Sequence, residues 1–326
     1  MTTHSTANAA AQSPVAGIDV GKASLHLGFS DCKEVTRHGN DAQGHREIAA
    51  KIKSRGVARA GLEATGSTSR GIELALRAAG LDVDVLQPRQ VKAFARFKLS
   101  RAKSDEIDTP LIAQATAASD CKPAPDPRLA GLCEHLTLID QIGEDIAREK
   151  VRREHVRDPG LLAQHAAEIK RQTLRRAGMV KALGLMVRAH EDLAKKMKLL
   201  LTIPGVGEIT ALAMVLRMPE LGALTREEAA ALPGVAPFVC ESGRCAGQRH
   251  VARGRDRARR SLFAAAQAAC RRWNKELVTF YDRLKATGKH HRVCVVACTR
   301  KLVIFANTVL QRQKPWTEKL GANPAT

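Results

Sequence analysis

Alternating apolar and polar positions near the start of the chain predict a β-hairpin. An apolar run ends at Val20 and is interrupted by Asp19, and a short Gly-Lys turn follows. From Leu25 to Phe29 every second residue is apolar, which is the period of a half-buried strand. The acid at position 19 therefore stands inside a strand that is otherwise predicted to be buried.

The pattern continues as strands alternating with amphipathic helices. We predict a third strand over 33–38, a helix over 44–54, a fourth strand ending near Glu63 and a fifth over 81–86. Ser67 or Thr68 is the predicted cap of a helix that Gly80 ends. The order β-β-β-α-β-α-β is that of a ribonuclease H-like α/β domain, in which acids from neighbouring strands and a later helix meet at one edge of the sheet.

Four carboxylates fit that arrangement. Asp19 and Glu63 lie at or beside the ends of predicted buried strands, and Asp105 and Asp108 are an i, i+3 pair. Burying an unpaired carboxylate costs several kcal/mol unless a cation or hydrogen bonds compensate for the charge. A bound divalent metal would account for all four.

The geometry of the second acid pair stays open at this stage. Thr109-Pro110 follows Asp108, and proline suits the first turn of a helix better than its interior. If the helix begins at Thr109 or Pro110, Asp105 precedes it and Asp108 becomes a cap. Glu106 is a further possible ligand.

Residues 129–200 are predicted to be helical, with a break at Asp158-Pro159-Gly160. These helices form either a spacer hairpin or a coiled-coil arm for oligomerisation. The heptads are irregular, so the sequence does not decide between the two. The following segment 201–211 is similar to a helix-hairpin-helix turn. Gly205 and Gly207 would let the backbone approach a phosphate, although a packing turn explains the same residues.

Charge favours a nucleic-acid partner. The chain has a formal net charge of +20, and residues 126–326 carry 36 Lys and Arg against 20 Asp and Glu. Such an excess is typical of phosphate-backbone binders. The candidate phosphate contacts are arginines of one glycine-rich segment, namely Arg244, Arg249, Arg253, Arg255, Arg257, Arg259 and Arg260.

Other side chains are predicted to have structural roles. Aromatic residues make up 3% of the chain, so recognition by base stacking is poorly supported, and Trp273, Tyr281 and Trp316 are predicted to pack in a core or an interface. Asp82 and Asp84 are expected on a solvated strand face. No apolar stretch reaches the roughly 18 to 20 residues of a membrane span.

Taken together, the motifs resemble the IS110 transposases of bacterial insertion sequences and the related Piv-type DNA invertases. The resemblance covers about residues 16–313. It is carried, in chain order, by Gly17-Ile18-Asp19-Val20, Gly61-Leu62-Glu63-Ala64-Thr65-Gly66, Lys103-Ser104-Asp105-Glu106-Ile107-Asp108, Leu201-Thr202-Ile203-Pro204-Gly205-Val206-Gly207 and Glu241-Ser242-Gly243.

The composition of residues 1–14, rich in Ala, Ser and Thr, predicts a flexible tail, and residues 316–326 are expected to form a second tail. The resemblance implies a RuvC-like catalytic domain at 15–125, a helical coiled-coil region at 126–198 and a C-terminal transposase domain at 199–315. It implies that Asp19, Glu63, Asp105 and Asp108 hold one or two Mg²⁺ ions and that Ser242 is the nucleophile. Expected partners are double-stranded DNA, at the element ends and at the target, and a structured guide RNA. The chain is expected to associate as a dimer or tetramer, and no membrane partner is expected. Expected localisation is the bacterial cytoplasm, at the nucleoid.

Three rival functions remain at the level of sequence. A hydrolytic RuvC-like nuclease would use metal-activated water and leave Ser242 as a loop residue. A non-catalytic nucleic-acid binder would retain the fold alone. Actin-like sugar kinases also begin with a Gly-Ile-Asp-Val-Gly strand, but the chain has no second phosphate loop downstream.

Overall fold

The computed structural model describes residues 13–99, 105–120, 125–238, 250–251 and 253–318. The chain divides into two compact units, Met1–Pro125 and Asp126–Thr326. Ser242, Arg244 and Arg249 lie outside the described residues, as does the side chain of Asp105.

The first unit is a mixed α/β domain, as predicted. Its described elements are β1 (Ala16–Val20), β2 (Ser24–Phe29), β3 (Thr36–Gly39), α1 (Ala42–Ser54), β4 (Arg59–Glu63), a 3₁₀ turn (Gly66–Ser69), α2 (Arg70–Ala78), β5 (Asp82–Leu86), α3 (Pro88–Phe97) and α4 (Asp105–Ala117). The predicted strand and helix order is confirmed. The predicted cap of α2 is wrong: its N-cap is Ser69, and the Thr68 hydroxyl instead donates to the carbonyl of Thr65 at 2.9 Å.

The five strands form one sheet in the order β3-β2-β1-β4-β5. β2 runs antiparallel to β1 and β3, whereas β1, β4 and β5 are parallel to one another. The crossover through α1, from β3 to β4, thus brings β4 beside β1, and the crossover through α2 adds β5 next to β4. The carboxyl ends of β1 and β4 meet at one edge of the sheet.

One face of the sheet is the main apolar core of the unit. Ile18, Leu62 and Val83 from three neighbouring strands lie there, together with Ile48 of α1 and Ile72 of α2. All are buried. Because strand residues alternate between faces, the acids next to these core positions belong to the other face.

Helix α4 lies against that other face, and glycines allow its close approach. Gly17 of β1 is in register with Gly28 of β2 and with Gly61 of β4. A Cβ atom at Gly17 would lie 2.5 Å from the amide nitrogen of Ala113, and one at Gly61 would lie 2.8 Å from the Cβ of Thr116. A larger residue at either position would force the helix away from the sheet.

Pro110 lies inside α4, which begins at Asp105. The helix therefore does not start at Thr109 or Pro110, and Asp108 is not its cap. Asp105 and Asp108 both belong to the first turns, so they keep the i, i+3 relationship.

The second unit is mainly helical. Its described elements are α5 (Pro127–Glu154), α6 (Pro159–Arg188), α7 (Glu191–Leu200), α8 (Glu208–Arg217), α9 (Arg226–Ala231), β6 (Pro237–Phe238), β7 (His250–Val251), α10 (Asp256–Ala268), a π-helical turn (Ala269–Trp273), α11 (Lys275–Ala286) and α12 (His291–Arg312). Asp158 caps α6 through the amide of Leu161, which explains the break after α5.

Helices α5 and α6 share a core with the helices that follow. Leu136 of α5, Leu183 of α6, Leu212 of α8 and Val303 of α12 are members of one buried cluster. The helices α5 and α6 therefore share one apolar interior with α12, the last helix of the unit.

Helix α12 is the one described helix long and apolar enough, by length and composition, to cross a membrane. Most of it is buried within the unit, and its buried polar residue Asn307 has internal partners. Asn307 accepts from the amide of Gly222 at 2.8 Å and donates to the carbonyl of Leu224 at 2.7 Å. These features are those of a core helix.

Candidate active site and nucleic-acid contacts

Asp19 and Glu63 hold equivalent positions on neighbouring parallel strands. Ile18 pairs with Leu62 in the β1-β4 register, so the next residue on each strand is the acid. Both acids are half-buried, and the alternation of the strands places them on the face that α4 covers. The expectation that the two strands present acids at one sheet edge agrees with this register.

The first turn of α4 lies toward the same edge. Thr109 packs over Gly17, whereas Ser119, just beyond the helix, accepts a hydrogen bond from Arg59 Nη2 at 2.8 Å. Arg59 begins β4, so α4 runs against the direction of β1 and β4. Residues before Thr109 consequently lie toward the carboxyl ends of these strands, where Asp19 and Glu63 stand.

The donor chemistry of this edge fits a hard divalent cation. Carboxylate oxygens are the ligands that Mg²⁺ takes in proteins, and Asp19, Glu63 and the half-buried Asp108 supply them. Among the described side chains, however, no three His, Cys, Asp or Glu groups are close enough together to hold a metal ion. The described part of the chain therefore shows the donors at one end of the sheet and not a formed cluster.

Sequence reasoning did not single out His26. It pairs directly with Asp19 across the β1-β2 ladder, so both side chains lie on the α4 face. The signal was available in the alternation of Leu25 and Leu27, which puts residue 26 on the face opposite the core. His26 therefore belongs to the surroundings of the acid edge.

The prediction of a solvated face for Asp84 is wrong. Asp84 is only 4% exposed, and Arg59 Nη2 lies 2.7 Å from its carboxylate, whereas Asp82 is exposed as predicted. Asp84 pairs in register with Gly61, so it lies on the face that α4 covers. The guanidinium of Arg59, on the neighbouring strand, neutralises this buried carboxylate, so Asp84 does not need a metal ion.

The turn between α7 and α8 places its two glycines differently. Gly205 has a φ of +93°, and a Cβ there would lie 2.9 Å from the Cα of Ala269. Gly207 is the N-cap of α8, and a Cβ there would meet nothing within 4 Å. Packing thus requires glycine at 205, whereas the space around Gly207 is open to a ligand.

The described arginines of the glycine-rich segment are largely engaged within the protein. Arg255 binds both oxygens of Glu220, at 2.7 and 2.5 Å. Arg259 donates to Asp256 at 2.6 Å, and Arg260 donates to Glu144 at 2.8 Å. Such exposed pairs are weak and can exchange for phosphate.

Arg257 and Arg260 of the same segment line a groove of about 1100 Å³ between α5, α6, α8 and α10. Its cationic lining residues are Lys150, Arg176, Lys181, Arg257 and Arg260. Asp140, Glu144 and Glu208 supply acidic groups, so the groove carries a net positive charge. Gly207 at the start of α8 also lines it, which places the helix N-terminus and the cations on one surface.

The aromatic residues are placed unequally. Tyr281 makes a 2.7 Å hydrogen bond to His291, and Trp316 packs on Phe305 with ring centroids 4.5 Å apart, as predicted for core residues. Trp273 is 61% exposed, so the prediction that it packs in the core is wrong, whereas packing in an interface between chains stays a prediction.

Comparison with known families decides the identity. Residues 16–165 match a DEDD transposase model of the IS110 type, described as Transposase, and residues 197–282 match the model described as Transposase IS116/IS110/IS902 family. The chain belongs to the IS110 family of transposases. No curated protein matches it.

Membership of the IS110 family establishes the general activity. The protein is a transposase of an insertion sequence, an enzyme that cleaves and rejoins DNA and therefore binds DNA. The DEDD match covers Asp19, Glu63, Asp105 and Asp108, and a divalent metal is typical of that family. The second match covers the α7-α8 turn, α10 and Trp273.

Proposed function

We propose that this IS110-family transposase carries a RuvC-like acid site in which Asp19, Glu63, Asp105 and Asp108 hold one or two Mg²⁺ ions. One observation carries the proposal: the register that makes Asp19 and Glu63 equivalent on adjacent parallel strands. The strand order β3-β2-β1-β4-β5, with β2 antiparallel to β1, supports a ribonuclease H-like fold for residues 15–125.

Ser242 is the proposed nucleophile. Its Oγ bonds to the scissile phosphorus while the bond from phosphorus to the leaving sugar oxygen breaks. The serine proton is transferred to a base, and the released sugar oxygen takes up a proton to become a hydroxyl. The phosphoserine linkage conserves the phosphodiester for rejoining, in which the steps are reversed.

Each group has a separate task in this scheme. When bound, the metal supplies a Lewis acid that polarises the phosphate and offsets the charge of the transition state. The acids hold it, and the arginines of the segment around Ser242 orient the phosphate. Serine is a weak nucleophile near neutral pH, so the oriented phosphate and the proton acceptor are both needed.

The assembly is part of the proposal. Residues 126–198 would form an arm through which copies associate, so that the acids of one subunit act with Ser242 of another. Leu174 and Leu185, which lie on one face of α6 and are exposed, support a contact between copies. Residues 199–315 would carry the serine, and a structured RNA would pair with donor and target DNA.

A covalent trap tests the nucleophile. A DNA substrate nicked close to the cleavage site loses its leaving fragment, so a phosphoserine adduct accumulates and migrates with the protein under denaturing conditions. We expect the adduct with the native chain and Mg²⁺, and none with Ser242→Ala or Asp19→Asn. Peptide mapping should place the DNA on Ser242.

The same experiment separates the rival activities. A hydrolytic nuclease would cleave without an adduct and would be insensitive to Ser242→Ala. A non-catalytic binder would leave the substrate intact and bind it equally with or without Mg²⁺. Undiminished strand exchange by Ser242→Ala would remove the nucleophile from the proposal.

A further inference from the structure

The helical turn that follows α10, Ala269–Trp273, leaves the indole ring of Trp273 exposed to solvent. Along α10 the buried positions Leu262, Ala266 and Cys270 recur at the spacing of a regular helix, which would continue to residue 273 or 274. The last turn is instead π-helical, and the amide of Asn274 donates to the carbonyl of Ala269 at 3.0 Å, five residues back.

The wider turn decides which side chain faces the core. Asn274 is 2% exposed and caps α11 by accepting from the amide of Leu277 at 3.1 Å. Trp273, one residue earlier, is left 61% exposed. π-Helical turns frequently mark functional positions, and this one exposes the larger of two adjacent side chains.

One cation lies beside the exposed indole, and a second is adjacent to it in the sequence. The guanidinium of Arg272 lies 5.5 Å from the centroid of the Trp273 ring. Arg271 and Arg272 are both exposed, and neither forms an ion pair in the part of the chain that the structure describes. This contrasts with Arg255, Arg259 and Arg260, which have carboxylate partners.

The π-helical turn is also fastened to the glycine turn before α8. Ala269, its first residue, sits against Gly205, and the Asn274 side chain donates to the carbonyl of Pro204 at 3.4 Å. The proposed phosphate contact at Gly207 and the exposed indole are therefore held on connected turns. A flat aromatic face beside the guanidinium of Arg272, with the exposed Arg271 next to it in the sequence, matches a nucleotide with its base plane and its phosphate.

We infer that Trp273 stacks on an unpaired base of single-stranded DNA while Arg271 and Arg272 bind the adjoining phosphates. The inference rests on the proposed function, because it assigns a substrate contact to this transposase. Single-stranded DNA is the chosen occupant because the family acts on DNA and because a base inside a duplex does not expose its face. The aromatic face is sequence-tolerant, since every base can stack on it.

Trp273 can report on its own environment. The chain has two tryptophans, so Trp316→Phe leaves Trp273 as the single indole fluorophore. In EDTA, which removes the metal and prevents cleavage, we expect a single-stranded oligonucleotide of about 12 nucleotides to quench its emission. A duplex of the same sequence should quench it far less, and an RNA of the same sequence serves as the third probe.

Affinity variants test the energetic contribution. Trp273→Leu should weaken single-strand binding about fivefold or more, and Trp273→Phe should retain most of the affinity. Arg271→Gln/Arg272→Gln should reduce the salt dependence of binding by about two phosphate contacts. The matched control is Arg292→Gln/Val293→Ala, an adjacent exposed cation and apolar residue on α12, which should change neither.

Several outcomes would overturn the inference. They are unchanged single-strand affinity in Trp273→Leu, equal quenching by the duplex, quenching by RNA alone, or a change of oligomeric mass in place of a change of affinity. Circular dichroism melting of each variant excludes unfolding as the cause. Binding is measured without metal, so the two proposals can fail separately. If DNA stacks on Trp273 but no adduct forms, only the proposed function is contradicted. If the adduct forms and Trp273→Leu binds single strands normally, only this inference is contradicted.

Discussion

Gly61 lies directly under Thr116, so that a Cβ on the glycine would come within 2.8 Å of the threonine Cβ. Thr116 is fully buried, and its hydroxyl donates to the carbonyl of Ile112 at 2.7 Å, within its own helix. The contact sets how closely α4 approaches the sheet. Since α4 carries one acid pair and the sheet carries the other, the same contact sets the distance between the two pairs.

Gly61→Ala should therefore destabilise the first unit and impair cleavage together. Overpacking of a tight contact costs about 1–3 kcal/mol, and here the obstacle includes backbone-proximal atoms that cannot swing away. Denaturant unfolding and cleavage assays check this. Gly178→Ala, in the exposed interior of α6 where a Cβ meets nothing within 4 Å, should instead stabilise by about 0.5–1 kcal/mol. A Gly61→Ala protein with native stability would contradict the tight approach of α4.

Local periodicity was sufficient to predict the sheet. The alternation around Leu25 and the apolar runs ending at Val20 and Glu63 depend on neighbouring residues alone, so the strands appear where predicted. The helical position of Asp105 could not be settled in this way, because Pro110 disfavours a helix interior locally. Packing of α4 on the glycines of three strands compensates for that penalty, and it is a non-local effect.

The misassigned residues have the same kind of explanation. Asp84 alternates as a surface residue would, but its burial depends on Arg59 of a neighbouring strand, 25 positions away. Trp273 has the spacing of a buried residue, and one wider helical turn reverses its direction. Candidate acids could be named from sequence because a carboxylate inside an apolar run is conspicuous. The ion-pair partner of a buried acid such as Asp84 depends instead on which strands are neighbours in the sheet.

Removing either strand acid should abolish cleavage without unfolding the domain. Asp19→Asn and Glu63→Gln keep shape and lose charge, so we expect at least about a 100-fold loss of strand cleavage and of Mn²⁺ or Mg²⁺ affinity measured calorimetrically. Asp82→Asn, an exposed acid on the same sheet, is the control and should be neutral. Normal metal affinity in both variants would move the metal site elsewhere.

The Arg59-Asp84 pair should behave as a buried ion pair. Arg59→Met leaves the Asp84 carboxylate uncompensated and should cost about 3–5 kcal/mol of unfolding free energy. The double variant Arg59→Met/Asp84→Leu should regain most of that loss. Arg171→Met breaks an exposed pair with Glu168 and should cost about 1 kcal/mol or less. Failure of the double variant to recover stability would indicate that Arg59 acts mainly through Ser119.

Glu220 should make the second unit acid-sensitive. Burial, the largest single effect, raises the pKa of its carboxyl, but the hydrogen bonds from Arg255, a backbone hydrogen bond and the charges of Arg255 and Lys196 together outweigh it, so the pKa lies below its usual value of 4.5. A lowered folded-state pKa stabilises the protein above 4.5, and that contribution is lost as pH falls through the folded-state pKa. Thermal midpoints of Glu220→Gln should be lower than native at pH 7 and should converge with native toward pH 3. Parallel pH profiles would show that Arg255 does not depend on this carboxylate.

Gly205 and Gly207 should separate packing from binding. Gly205→Ala combines a positive φ with a clash against Ala269, so it should lower the thermal midpoint. Gly207→Ala has an extended backbone, with φ of −89°, and open space, so it should fold normally. Its new methyl group would stand between the start of α8 and a phosphate, and we expect weaker duplex DNA binding together with a salt slope reduced by about one unit. Fluorescence polarisation over a salt series measures both quantities. Unchanged binding by a folded Gly207→Ala protein would assign the whole turn to packing, and the phosphate contacts would then have to come from the cationic groove beside it.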